Sequence, residues 1–223
     1  FASARRLGIN HVGHLVLLNR GDRFEARPLP LEAQLAPAFA PVVADFDGDG
    51  HEDLALSQNF FPTELGTPRY DAGRALLLRG QGDGTFTPMP GQASGLLVYG
   101  DQRGAATADY DADGRPDLVI AQNGAATRLF QNSTGRPGLR VRLRGPAGNP
   151  EGVGAQLRLR YPNGWGPRRE VQAGSAYWSV SGAVVVMGIR EGAAPVELEV
   201  RWPGGRGTTH PVQPGVATLE VTP

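Results

Sequence analysis

The sequence predicts an all-β protein, with a partial β-propeller of about two and a half blades followed by a small β-sandwich or barrel domain. Three observations lead there. The apolar runs are short, rich in leucine or β-branched residues, and bounded by Gly, Asp, Asn and Pro, as strands joined by tight turns are. One stretch recurs along the chain. Beyond residue 138 apolar and charged residues alternate with period two, the mark of strands with one dry and one wet face. There are 32 glycines and 19 prolines among 223 residues, and apolar runs of four to six residues leave no room for helices. Val, Leu, Ile and Phe are spread evenly enough to argue against disorder.

Taken in order, the first element is an incomplete repeat, Leu15-Val16-Leu17-Leu18-Asn19-Arg20-Gly21-Asp22-Arg23-Phe24. It matches Leu76-Leu77-Leu78 through Gly82-Asp83-Gly84-Thr85-Phe86. The segment from Val42 to Leu56 then pairs with the segment from Ala106 to Ile120 at a spacing of 64 residues, with every aspartate in register. Each copy continues alike, through Ser57-Gln58-Asn59 or Ala121-Gln122-Asn123 to another apolar run. Four short strands per repeat of about 60 residues is the sheet unit of a propeller blade. Residues 1–134 therefore supply one half blade, one whole blade and most of a third. A closed ring needs at least about four blades, so either the chain is a fragment of a longer propeller or another chain covers its open strand edges. Residues 135–138 read as a linker. Residues 139–223 form the second domain, with strands expected around Leu139 to Leu143, Ala155 to Arg160, Val184 to Met187 and Val196 to Trp202.

The repeated pattern D-x-D-x-D-G-x-x-D sets carboxylates at loop positions 1, 3, 5 and 9 and glycine at 6, an oxygen cage for a hard cation. The first loop assigns side-chain ligation to Asp45, Asp47, Asp49 and Asp53, and a backbone carbonyl to His51. The second assigns Asp109, Asp111, Asp113 and Asp117, with the carbonyl of Arg115. Calcium fits a crowded all-protein cage, whereas magnesium retains waters. An EF-hand would need flanking helices and Glu at position 12. Leu56 and Ile120 stand there instead. Four carboxylates about 5 Å apart repel by about 3 kcal/mol per pair at an effective dielectric near 20, so the cage calls for a cation.

Charge narrows the function further. The net charge is zero, from 22 acidic and 22 basic residues, which argues against wholesale binding to nucleic acid. Setting aside the eight loop aspartates leaves 14 carboxylates against 22 arginines. Every basic residue is arginine, so a Walker phosphate loop, a Schiff-base lysine and a lysine base are excluded. Without cysteine there is no disulfide, thiolate zinc site or cysteine nucleophile. No apolar run approaches the roughly 20 residues of a transmembrane helix. Phe1 to Arg6 lack the order of charged, apolar and cleavage regions found in a signal peptide.

The loop Asp109-Tyr110-Asp111-Ala112-Asp113-Gly114-Arg115-Pro116-Asp117-Leu118, with Gly104 to Ala108 before it, resembles an FG-GAP/VCBS repeat. Leu143-Arg144-Gly145, Asn149 through Ala155, Arg169-Glu170-Val171, Gly174-Ser175-Ala176-Tyr177 and Val200 to Gly205 resemble the ASPIC/UnbV domain. The order is that of the cartilage acidic protein family and its bacterial relatives. Val180 departs from a frequent Gln, and Val186-Met187-Gly188-Ile189 from a His-Phe-Gly-Leu run. The resemblance implies a secreted, periplasmic or surface-exposed protein acting in adhesion or assembly, with no defined catalytic activity.

Other groupings carry less. His11 and His14, read as strand residues, point to opposite faces, and His210 stands alone. Ser175 and Ser179 lack a nucleophile elbow. Gly80 to Gly84 read as a hairpin turn between strands. Arg140, Arg142 and Arg144 share one strand face, with Arg158 and Arg160 set beside them, and read as a solvated surface. Asn132-Ser133-Thr134 matches a glycosylation acceptor. Among aromatics, Tyr177 or Trp178 is expected to pack inward, and Trp165, in the Asn163 to Gly166 turn, to be exposed. The expectation is a non-enzymatic, calcium-stabilised, extracytoplasmic binding or scaffolding module. Its partner is a protein or further propeller blades. The alternatives are a carbohydrate-binding module or an accessory subunit of an envelope complex.

Overall fold

The computed structural model describes residues 7–223; the signal-peptide reading of Phe1 to Arg6 lies outside them. Strands hold 43% of the residues and helices 4%, so the class is all-β, and no sheet closes on itself.

The first sheet is a hairpin of β1 (Leu15–Asn19) and β2 (Phe24–Pro28). After the single-turn helix α1 (Leu31–Gln34) comes a four-stranded antiparallel meander. It comprises β3 (Ala38–Ala44), β4 (Asp53–Gln58), β5 (Leu76–Gly80) and β6 (Phe86–Met89). A second single-turn helix, α2 (Gly91–Ser94), precedes β7 (Asp101–Ala108), β8 (Asp117–Asn123) and β9 (Ala125–Phe130), a three-stranded meander. Half a blade, a whole blade and three quarters of another result, as the repeat predicts. The turn from Gly80 to Gly84 joins β5 to β6, with the Thr85 amide donating to Asp83 Oδ1 at 2.8 Å.

The two helical turns are a departure from the expectation of no helix. Each begins after a proline, Pro30 or Pro90, whose fixed φ suits a helix start. Both occupy the same place in the repeat, between one blade and the next. The paired segments Pro30-Leu31-Glu32-Ala33-Gln34 and Pro90-Gly91-Gln92-Ala93-Ser94 carried that signal. His11 and His14 also lie outside any strand; the His14 ring is engaged with the Ala33 carbonyl at 2.7 Å.

Apolar faces meet between blades. Leu29, Ala33, Leu54, Leu56 and Leu78 fill the space between hairpin and full blade. Ala40, Val42, Ala55, Leu96, Val98, Ala105, Leu118 and Ile120 fill that between the full blade and the next. Small alanines dominate where β3 and β7 approach one another. Register shifts recur at Ala38/Ala40 and Gln102/Ala105, bending both strands at matching places.

The C-terminal part contains β10 (Leu139–Leu143), β11 (Gln156–Tyr161), β12 (Gly164–Glu170), β13 (Val184–Met187), β14 (Glu197–Arg201), β15 (Gly207–Pro211) and β16 (Thr218–Val221). They form two sheets, ordered β13-β10-β16 and β12-β11-β14-β15. Both sheets line one core built on Leu139, Val141, Leu157, Leu159, Tyr161, Leu198, Val200 and Trp202, so the sandwich reading holds over the barrel. β10 pairs with β16 in parallel. The strand segments anticipated around β10, β11, β13 and β14 are present; β12, β15 and β16 are additional. Because β10 and β11 belong to different sheets, Arg140 and Arg142 do not lie beside Arg158 and Arg160. Several of these arginines are held locally, Arg144 by Glu220 and Arg160 by Glu197.

Candidate metal centres

Each aspartate loop is the turn between the first two strands of a blade, β3 to β4 and β7 to β8. Strand pairing brings the first and last loop residues together, since Ala44 opposes Asp53 and Ala108 opposes Asp117. In between, backbone amides fold onto the leading aspartate. Asp45 Oδ1 accepts from the Gly48 and Asp49 amides at 2.7 and 3.0 Å, and Oδ2 from Gly50 at 2.7 Å. Asp109 Oδ2 likewise accepts from Gly114 at 3.1 Å. Such local bonds draw the chain into a tight coil, which requires positive φ at Gly48 (75°), Gly50 (89°) and Gly114 (85°), and also at Ala112 (63°).

The fold gathers three of the four aspartates of each loop, and not the equivalent three. Asp45, Asp47 and Asp49 offer oxygens all within 4.8 Å of one another, as do Asp109, Asp111 and Asp117. Asp53 stands apart from the first trio and works as a brace, accepting from the Phe46 and Gly80 amides, both at 2.8 Å. Asp117 makes the matching bonds to Tyr110 (3.1 Å) and Asn132 (2.8 Å) while also joining its trio. Asp113 is turned to Arg115, whose Nη1 lies 2.5 Å away. The ring of His51 rests against Gly82, which leaves only its backbone for the loop.

The donors suit a hard cation. Asp47 Oδ2 and Asp109 Oδ1 are buried and accept no hydrogen bond. Arg79 Nε approaches Asp47 Oδ2 to 2.5 Å, outside hydrogen-bonding direction. The Asp109 side chain is 0% exposed and meets Arg140 Nε at 2.5 Å on its other oxygen. Buried carboxylate oxygens without donors are costly unless a cation satisfies them. Burial pushes the Asp45 carboxyl up to about 7 and that of Asp53 to about 6, against amide bonds that pull both down. Burial also raises Asp117. These are oxygen-only clusters whose geometry can hold a metal ion.

Sequence reasoning missed what lies over the loops. The Arg136 amide donates to the Asp47 carbonyl (3.0 Å), Asn132 Nδ2 to the Phe46 carbonyl (2.7 Å), and the Gly138 amide to the Gly114 carbonyl (2.8 Å). Asn132 is thereby committed to the fold, which counts against its use as a glycosylation acceptor. From the C-terminal sandwich, Gly188 lies against the Asp45 carboxylate so closely that a Cβ there would overlap it, and the Arg190 backbone covers Gly50. Arg169 of β12 reaches Glu52 at 2.7 Å and the Val43 carbonyl at 2.8 Å. These contacts join residues far apart in sequence, so no local pattern announces them. The Gly188 of the divergent Val186 to Ile189 run was the one available hint.

Residues 66–138 match the family model of the FG-GAP-like repeat, and residues 145–223 match that of ASPIC and UnbV. The chain therefore carries an FG-GAP-like repeat followed by an ASPIC/UnbV domain, which makes it a protein-interaction or binding module. The first aspartate loop precedes the matched FG-GAP stretch and is tied to it by internal repetition. A search of curated proteins finds no match to the chain. No helix among the described residues is long and apolar enough to cross a membrane.

Proposed function

We propose that the chain is a non-enzymatic interaction or scaffolding module whose blades and C-terminal sandwich are held in register by two calcium ions, and that it works outside the cytoplasm. The observation that carries this reading is the folding of two sequence-equivalent loops into acidic knots, each with a buried carboxylate oxygen that accepts no hydrogen bond. Asp45, Asp47 and Asp49 would hold one ion, and Asp109, Asp111 and Asp117 the other. Asp53 and Asp113 would complete the sets by modest side-chain turns, with the backbone of His51 and Arg115. An extracytoplasmic location follows from the cation, since millimolar calcium fills such sites and submicromolar calcium does not.

Thermal melting in calcium and in excess EGTA tests the idea. At a free concentration near 100 times the dissociation constant, linkage adds about 2.7 kcal/mol per site. For a chain of this size that raises the midpoint by roughly 5–10 °C per site. Equal midpoints in the two buffers would refute the reading.

A further inference from the structure

A row of aromatic and guanidinium planes crosses from the blades into the C-terminal domain. The buried Arg103 guanidinium, gripped by Asp101 at 2.5 and 2.9 Å, lies 4.2 Å from the Phe39 ring and 5.1 Å from the Phe60 ring. Phe39 meets Tyr177 edge-on, with centroids 5.7 Å apart at 76°. Tyr177 in turn stacks on Trp178 at 5.7 Å and 7°. The row ends in water, where Trp178 is 93% exposed. Trp165, the aromatic singled out by its place in the sequence, is exposed as expected, at 37%, but stands in strand β12 rather than in a turn, with the Arg158 guanidinium over its ring.

Trp178 occupies the third position of the turn Ala176-Tyr177-Trp178-Ser179, closed by the Ser179 amide donating to the Ala176 carbonyl at 3.3 Å, with the Ser175 amide donating to the Ser179 carbonyl at 3.0 Å behind it. Its φ is 47°. Glycine or asparagine ordinarily takes that place, and a bulky side chain there costs roughly 1–2 kcal/mol. An exposed indole gains almost no burial in return. A local preference overridden without compensation points to a functional position.

The geometry points to the outer face of Trp178 as a platform for a neutral, β-linked, gluco-configured pyranoside. The Tyr177 ring runs parallel to the indole, with centroids 5.7 Å apart, and leaves nearly all of it open to solvent. The outer face is flat, open and about the size of one sugar ring, whose axial C–H bonds meet the negative π cloud. Hydroxyls of Ser175, Ser179 and Ser181 stand on the same loop, Ser175 and Ser181 bonded to each other at 3.1 Å and Ser179 donating to the Tyr177 carbonyl at 3.0 Å, each with acceptor capacity left. The cation of the row, Arg103, is buried and bound by Asp101, so an anionic ligand finds no partner in it. A folded protein needs about 800 Å² per partner, far more than Tyr177, Trp178 and Val180 expose. The site is independent of the calcium loops.

Titration of the full chain with cellotetraose and chitotetraose, followed by calorimetry and tryptophan fluorescence, tests the assignment. Saturable binding of at least one is expected, with Trp178→Ala weakening it about tenfold or more and Trp165→Phe leaving it unchanged. Trp178→Asn should abolish binding while raising the thermal midpoint, because asparagine tolerates positive φ; a purely structural tryptophan would not give that combination. Neither sugar binding at millimolar concentration, or binding indifferent to Trp178→Ala, overturns the proposal. Adsorption to phosphatidylcholine vesicles through Trp178 without sugar binding overturns it in favour of a lipid surface.

Discussion

At the level of single residues the two loops are a matched pair with one informative mismatch. Gly48 in the first loop and Ala112 in the second hold the same position, both with positive φ. A Cβ costs energy in that conformation, so Ala112→Gly should stabilise the protein by about 1 kcal/mol, read as a rise in the denaturant midpoint. The reverse change, Gly48→Ala, should cost more than that, because the added carbon meets the Arg136 carbonyl as well. The buried acids make a second prediction. In the metal-free protein the Asp45 carboxyl, raised by burial to about 7, binds its proton more tightly than in the unfolded chain. Its contribution is thus fully present below about pH 4 and lost as the pH climbs through 7. In EGTA the thermal midpoint should fall across that window, and in saturating calcium, which selects the ionised form, it should rise.

At the level of elements, what the sequence disclosed depended on how local each signal was. The aspartate loops and the strands beside them were legible because four carboxylates and a glycine recur at fixed spacing. β10, β11 and β14 were legible by alternation. β12 was not: it opens Gly164-Trp165-Gly166-Pro167, which reads as a turn, yet the hairpin turn proper is Pro162-Asn163 and the strand is held by pairing with β11. β15 is short and polar, and β16 alternates apolar with polar over only four residues, so both gain their place from neighbours. Of Tyr177 and Trp178 the sequence expects one to pack inward; the chain turns there instead, and the two rings lie parallel. The tightest link between elements is equally non-local. Gly188, just after β13, lies where any side chain would overlap the Asp45 carboxylate. Gly188→Ala should therefore lower stability by about 1–3 kcal/mol and weaken calcium binding at the first loop, while the second loop keeps its affinity.

At the level of the whole molecule, the C-terminal sandwich sits on the metal loops. Arg136, Gly138, Arg140, Arg169 and Arg190 all touch a loop or its flanking strand. Calcium removal should then be felt in a core that binds none. In a variant with Trp202 as the sole tryptophan, a residue buried in that core, the fluorescence transition should fall in EGTA together with the far-ultraviolet circular dichroism. A Trp202 transition unmoved by EGTA would show two independent units.

Strand β9 has a consequence for how the protein behaves in the tube. It is exposed along almost its whole length, and among the described residues nothing pairs with its outer side, where β6 completes the preceding meander. Solutions should scatter more light per molecule as they are concentrated, and a lysine in place of Thr127 should suppress the effect by making the rim repel its own kind.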